Sequence, residues 1–166
     1  MWASPTPLLS PWINVYLGVG RAAIGAIFAA GNLAFSTASL LAHALVRRLG
    51  MVKASAVSRF ASGALLAALP LAPNGATFIA LYMLYNAMVG IGGTARSSYI
   101  SGAAAEGSEA TTPAVANIPM RITATPSAAL AGYLIEADPA LLMPIAAAFT
   151  ATAGYLLLKL REEDGA

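Results

Sequence analysis

Residues 22–46 read AAIGAIFAAGNLAFSTASLLAHALV and contain no Lys, Arg, Asp or Glu. A helix needs roughly 20 consecutive apolar residues to cross about 30 Å of hydrocarbon, and this stretch is longer than that. Helices of soluble proteins average only about 10–14 residues and carry charge on their outer face. The segment therefore predicts a membrane-spanning helix, and it decides the fold class.

Four more stretches of similar length and composition follow along the chain. They occupy residues 52–72, 75–96, 111–136 and 139–160. Pro70, Pro73, Asn74 and Gly75 divide the second from the third, because such residues favour a turn. An open sheet would leave backbone groups unpaired in lipid, so each stretch is predicted to be a helix.

The predicted fold is therefore all-α, a polytopic membrane bundle of five helices. The bundle occupies residues 22–160. We expect residues 1–21 to form an N-terminal stub, the end of a truncated helix with an outer loop. Residues 161–166 are expected to form a short cytoplasmic tail.

The composition excludes several classes of function. Charged residues make up 10% of the 166 positions, against about 25% in a typical soluble domain. There is no cysteine, and one histidine, His43, is too little for a metal cluster. No paired carboxylates lie within the predicted spans, so acid–base catalysis has no groups to use. We expect no enzyme activity, no metal and no cofactor.

The basic residues predict the orientation of the bundle. If the five spans alternate, one side of the membrane receives Arg47, Arg48, Lys53, Arg96, Lys159 and Arg161. Lys and Arg accumulate on the cytoplasmic side of membrane proteins. The chain is therefore predicted to be a multi-pass protein of the cell's inner (plasma) membrane with a cytoplasmic C-terminus. Charges placed at span ends, rather than on one basic face, argue against nucleic-acid binding.

Polar residues inside the first and third spans are candidates for a substrate pathway. Asn32 and Ser36 lie four residues apart near the middle of the first span. Tyr82, Tyr85 and Asn86 are spaced so that they can share one face of the third. The alternative is ordinary hydrogen bonding between helices, or for Tyr82 an anchor at the membrane surface.

Arg121 is the most informative single residue, because it stands about ten residues into the fourth predicted span. A charge at that depth costs several kcal/mol unless it meets water or a partner. Asn117, one turn earlier, can share its face. Arg121 then lines a cavity and meets an anionic group. Alternatively, the helix begins near Val115 and Arg121 extends to the cytoplasmic headgroups.

Several short motifs together resemble the major facilitator superfamily. Tyr16–Gly20 and Ile24–Ala30 are similar to its seventh-to-eighth-helix region. The segment Arg47–Lys53 is similar to the second copy of the family's cytoplasmic loop motif, in which Arg48 and Gly50 match. This chain departs from that motif in two places, since Arg47 replaces the usual acidic residue and His43 the first glycine.

The later part of the chain resembles the tenth and eleventh helices of efflux-type members. The matching elements are Ala95–Ile100, Asn117, Arg121 and Ala131–Leu134. In the family, twelve helices form two halves of six. The resemblance therefore implies that this chain supplies helices eight to twelve.

The function implied by the resemblance is that of a C-terminal half, or fragment, of a secondary active transporter. Such a transporter moves small molecules by alternating access, and the resemblance to efflux-type members implies that it exports them. Its partners would be the bilayer, the missing N-terminal half and a small-molecule substrate, and we expect no flux from these residues alone. The alternative is a stand-alone small membrane scaffold or regulatory subunit.

Overall fold

The computed structural model describes residues 13–14, 18, 20–102, 115, 118, 122, 132–133 and 139–163. Among these, regular secondary structure is entirely helical, which confirms the all-α prediction. Most of the fourth predicted span, 111–136, lies outside the described residues. The same holds for two candidate site residues, Asn117 and Arg121.

Four long helices make up the described part of the chain. Helix α1 is Arg21–Leu49, α2 is Met51–Ala68, α3 is Gly75–Gly102 and α4 is Pro139–Glu163. A 3₁₀ turn, Leu69–Leu71, extends α2. These bounds lie within a few residues of four of the five predicted spans, except that α3 continues beyond residue 96.

Local chemistry explains where the helices end. Gly50 alone separates α1 from α2, with φ of 79°, a left-handed conformation that favours glycine. Asn74 caps α3, since its Oδ1 accepts hydrogen bonds from the Thr77 backbone N–H at 2.8 Å and from the Thr77 hydroxyl at 3.0 Å. Pro70 lies in the 3₁₀ turn at the end of α2. The turn predicted from Pro70, Pro73, Asn74 and Gly75 therefore lies where α2 ends and α3 begins.

The four helices pack in the spatial order α1, α3, α2, α4. Helix α3 lies between α1 and α2, and α2 in turn packs on α4. The consecutive helices α1 and α2 make few contacts with each other. Most packing therefore joins helices that are not consecutive in the sequence.

Small residues allow these helices to approach closely. A Cβ placed on Gly90 of α3 would lie 2.5 Å from the Phe35 carbonyl oxygen of α1. A Cβ on Gly63 of α2 would lie 3.3 Å from the Ala147 carbonyl oxygen of α4. Helix association in lipid relies on such close backbone contact.

Among the described residues, three helical segments are long and apolar enough to cross a membrane: Ala22–Leu49, Met51–Leu71 and Gly75–Ser98. In α4 the apolar part, Met143–Lys159, is shorter. Large apolar side chains lie on the outside of the bundle, among them Leu41 of α1, which is 67% exposed, and Leu71, which is 81% exposed. Exposed apolar surface on this scale is unfavourable in water and favourable in hydrocarbon. The described helices thus fit a membrane helical bundle.

Candidate functional site

Helix α1 carries a polar stripe along most of its length. The stripe consists of Asn32, Ser36, Ser39, His43 and Arg47. Their spacing of four, three, four and four residues keeps all of them on one face of a helix. Ser39 is half-buried and the other four are exposed. Two predicted pathway residues, Asn32 and Ser36, therefore belong to a longer polar surface.

Helix α3 lies alongside this stripe and contributes polar groups of its own. Asn86 is half-buried and donates a hydrogen bond from Nδ2 to the Tyr82 carbonyl oxygen at 2.8 Å. A Cβ on Gly31 of α1 would lie 2.9 Å from that Nδ2. Glycine at position 31 therefore lets the Tyr82 ring and the Asn86 amide lie close to the backbone of α1.

Toward the C-terminal ends of α1 and α3, the two helices form an open groove of about 470 Å³. It is lined by Phe35, Ser39, His43, Gly93, Thr94, Ser97 and Ser98. Ser39 donates its hydroxyl hydrogen to the Phe35 carbonyl at 2.8 Å, and Thr94 donates to the Gly90 carbonyl at 3.1 Å. These two oxygens remain available as acceptors.

The remaining polar side chains of this α1/α3 groove can donate hydrogen bonds. Within the described part of the chain, Ser97 and Ser98 make no side-chain hydrogen bond, and His43 makes none either. Each hydroxyl supplies one O–H donor, and an imidazole supplies one or two N–H donors. The groove therefore offers both donors and acceptors to a small polar ligand.

Nearer the N-terminal ends of α1 and α3, an aromatic cluster fills the interface between these two helices. Tyr82 is only 3% exposed, and its ring centroid lies 5.9 Å from that of Phe28 and 6.3 Å from that of Phe78. Tyr85 joins the cluster at 6.4 Å from Tyr82. These rings exclude water from the part of α3 nearest its N-terminus.

Tyr85, although a predicted pathway residue, does not line the groove. It is nine residues before Thr94, which places it on the opposite side of α3. There the phenol lies within electrostatic reach of Arg59 on α2. Arg59 is also close enough to Arg96 of α3 for the two positive charges to repel each other. The structure thus separates Tyr85 from Asn32, Ser36 and Asn86.

The residues of the predicted cytoplasmic loop motif lie together at the α1–α2 connection. Arg47 and Arg48 are exposed in the last turn of α1, and Lys53 is exposed in the first turn of α2. Gly50 supplies the left-handed joint between them. All three side chains are basic, so this connection forms a positively charged surface.

Inspection of the sequence did not identify Ser39, His43, Thr94 or Ser97 as members of a pathway. For Ser39 and His43 the signal was present, since both continue the spacing that begins with Asn32 and Ser36. Thr94 and Ser97 could not be identified from the sequence in this way, because their place in the groove depends on the packing of α3 on α1.

Across the described residues, no group of three or more His, Cys, Asp or Glu side chains could hold a metal ion. Comparison with known proteins finds no family model, no curated protein and no solved structure that matches the chain.

Proposed function

We propose that this chain is one half of a secondary active transporter, and that the α1/α3 groove is part of its water-filled substrate pathway. The observation that carries the proposal is the polar stripe of α1 beside the polar face of α3. A helix surrounded by lipid gains nothing from such a stripe, because polar groups are unfavourable in hydrocarbon. A helix that lines a path for a polar solute needs polar groups on the face toward that path.

The depth of the stripe in the membrane supports this reading. Ser36 is 15 residues from the start of α1 and 13 from its end, which at 1.5 Å per residue is about 20 Å from either end. Asn32 lies one turn from Ser36 toward the N-terminus. Polar groups at this depth face a bundle interior or a water-filled cavity. In the described structure both side chains are exposed, so water or a further protein element must cover them.

The sequence resemblance supplies the wider mechanism. In a major facilitator superfamily fold, a second half of six helices would lie against this face. The substrate would bind near the midplane, and the halves would rock around it to open the site to one side at a time. Efflux, with the basic α1–α2 connection in the cytoplasm, is the direction proposed from that resemblance.

Thiol accessibility tests whether the stripe meets water. The chain has no cysteine, so single-cysteine variants need no further change. We expect Ser36→Cys and Ser39→Cys to react with a water-soluble methanethiosulfonate reagent, because only a thiolate in contact with water reacts. Leu41→Cys is the matched control, since Leu41 is exposed but lies about 140° around α1 from Ser36.

Three outcomes of this experiment separate the proposal from the scaffold alternative. Fast reaction at Ser36→Cys and slow reaction at Leu41→Cys support a pathway. Equally slow reaction at both positions would mean that lipid or a tightly packed protein covers the stripe, and would favour a scaffold. Equal, fast reaction at both would contradict the placement of α1 in the membrane.

A further inference from the structure

The charges of α1, α2 and α3 all have one sign. From the start of α1 to the end of α3 the basic residues are Arg21, Arg47, Arg48, Lys53, Arg59 and Arg96. The first acidic residue of the chain is Glu106, beyond the end of α3. The helices that form the groove therefore bring only positive charge to its surroundings.

We propose that the α1/α3 groove binds an organic anion, through a carboxylate or a phosphate group. The proposal rests on the proposed function and names the substrate class of the same pathway. Ser97 and Ser98 donate O–H bonds from α3, and His43 donates from α1. Arg47 lies one turn beyond His43 on the same stripe and supplies a full positive charge.

Electrostatics favours an anion over a cation or a neutral solute. Hydrogen bonds from a charged donor to a carboxylate are roughly twice as strong as neutral ones. A cleft within the low-dielectric protein also concentrates the field of nearby charges, which raises the local concentration of the opposite ion. A cationic ligand would meet Arg47 with no acidic residue of α1–α3 to compensate.

Two sources of such an anion share the same chemistry. One is a soluble organic anion on its way through the groove, and the other is the headgroup of an anionic phospholipid. Basic pockets between helices on the cytoplasmic side are known to bind anionic headgroups. The experiment therefore includes membranes with and without an anionic lipid.

The single histidine of the chain gives a direct readout. Protein labelled with ¹⁵N-histidine and placed in nanodiscs has one imidazole, that of His43, and it lies on the groove wall. The probes are benzoate, benzamide and benzamidine, which have nearly the same shape but carry negative, zero and positive charge. In phosphatidylcholine nanodiscs we expect a saturable shift of the His43 signals with benzoate and little change with the other two.

Two arginine variants test where the charge comes from. Arg47→Gln is expected to weaken benzoate binding at least about tenfold, because it removes a charged hydrogen-bond donor. Arg48→Gln makes the same chemical change at the adjacent exposed residue, which lies about 140° around α1 from His43. It is expected to leave the affinity within about twofold of the unmodified protein. Far-UV circular dichroism of both variants checks that the helices are retained.

Each result supports or overturns the proposal. Equal shifts with all three probes would mean recognition by shape. No shift with benzoate in phosphatidylcholine nanodiscs, and none with phosphatidylglycerol, would mean no anion site; either result overturns the proposal. Equal effects of Arg47→Gln and Arg48→Gln would reduce the site to general surface charge and also overturn it. If phosphatidylglycerol shifts the His43 signals and benzoate then has no effect, the anion is a lipid headgroup and the site stands.

This readout needs binding only, so it is independent of transport. If the thiols of Ser36→Cys and Ser39→Cys react but benzoate has no effect, the pathway proposal stands and the anion proposal fails. Unreactive thiols with clear benzoate binding would leave an anion site on a protein that is not a transporter.

Discussion

Replacement of Gly90 by alanine is expected to weaken the contact between α1 and α3. The new Cβ would lie 2.5 Å from the Phe35 carbonyl oxygen, whereas ordinary contact begins at 3.4 Å, so the helices would have to separate locally by roughly 0.9 Å. The neighbour is backbone, so no rotamer change can relieve the overlap. Overpacking of this kind costs about 1–3 kcal/mol.

The matched control is Gly25→Ala on α1, where a Cβ would meet nothing within 4 Å. Alanine favours a helix over glycine by up to about 1 kcal/mol, so this variant should be neutral or slightly stabilised. The assay is reversible unfolding in mixed detergent micelles, followed by circular dichroism. Both variants gain the same helix propensity, so we expect the free energy of unfolding of Gly90→Ala to lie about 1–3 kcal/mol below that of Gly25→Ala. Equal stability of the two variants would refute the proposed close contact of α1 and α3.

Three further predictions concern topology, capping and the fourth span. A membrane-impermeant thiol reagent should label Asn74→Cys in intact cells but not Arg48→Cys, and labelling of Ser108→Cys instead of Asn74→Cys would reverse the orientation. Asn74→Ala removes the cap of α3 and should lower the free energy of unfolding by about 1 kcal/mol, whereas Thr37→Ala, which loses only a bond to its own helix, should change it less. In the proposed transporter with both halves, Arg121→Lys should impair transport, because an ammonium lacks the planar fork of a guanidinium. Arg121→Ala should impair it more at normal expression, and wild-type transport by both variants would place Arg121 at the headgroups.

The positions of the helices could be predicted because a helix that crosses a bilayer needs roughly 20 apolar residues. Runs of that length are visible in the hydropathy of the sequence. The runs 22–46 and 75–96 are so poor in charge that no other structure fits them. Local turn chemistry then fixed the ends, as Gly50 and Asn74 show. Each of these signals lies within a few residues of the feature that it predicts.

The grouping of the polar residues could not be predicted to the same extent. Tyr85 and Asn86 are adjacent in sequence, yet they lie on different faces of α3. Which face meets α1 depends on contacts such as Gly31 with Asn86, between residues more than fifty positions apart. Periodicity within one helix shows that it has a polar face, but it contains no information about which neighbour covers that face.

The spatial order of the helices also has a consequence for biosynthesis. Because α1 makes few contacts with α2 and packs chiefly on α3, it leaves the ribosome well before its main neighbour exists. During that interval its polar stripe has no α3 beside it. Contacts between distant parts of a chain form late and slowly, so α1 must remain in the membrane without its α3 contact until α3 is inserted. Its long apolar surface, centred on residues such as Leu41, holds it there in the meantime.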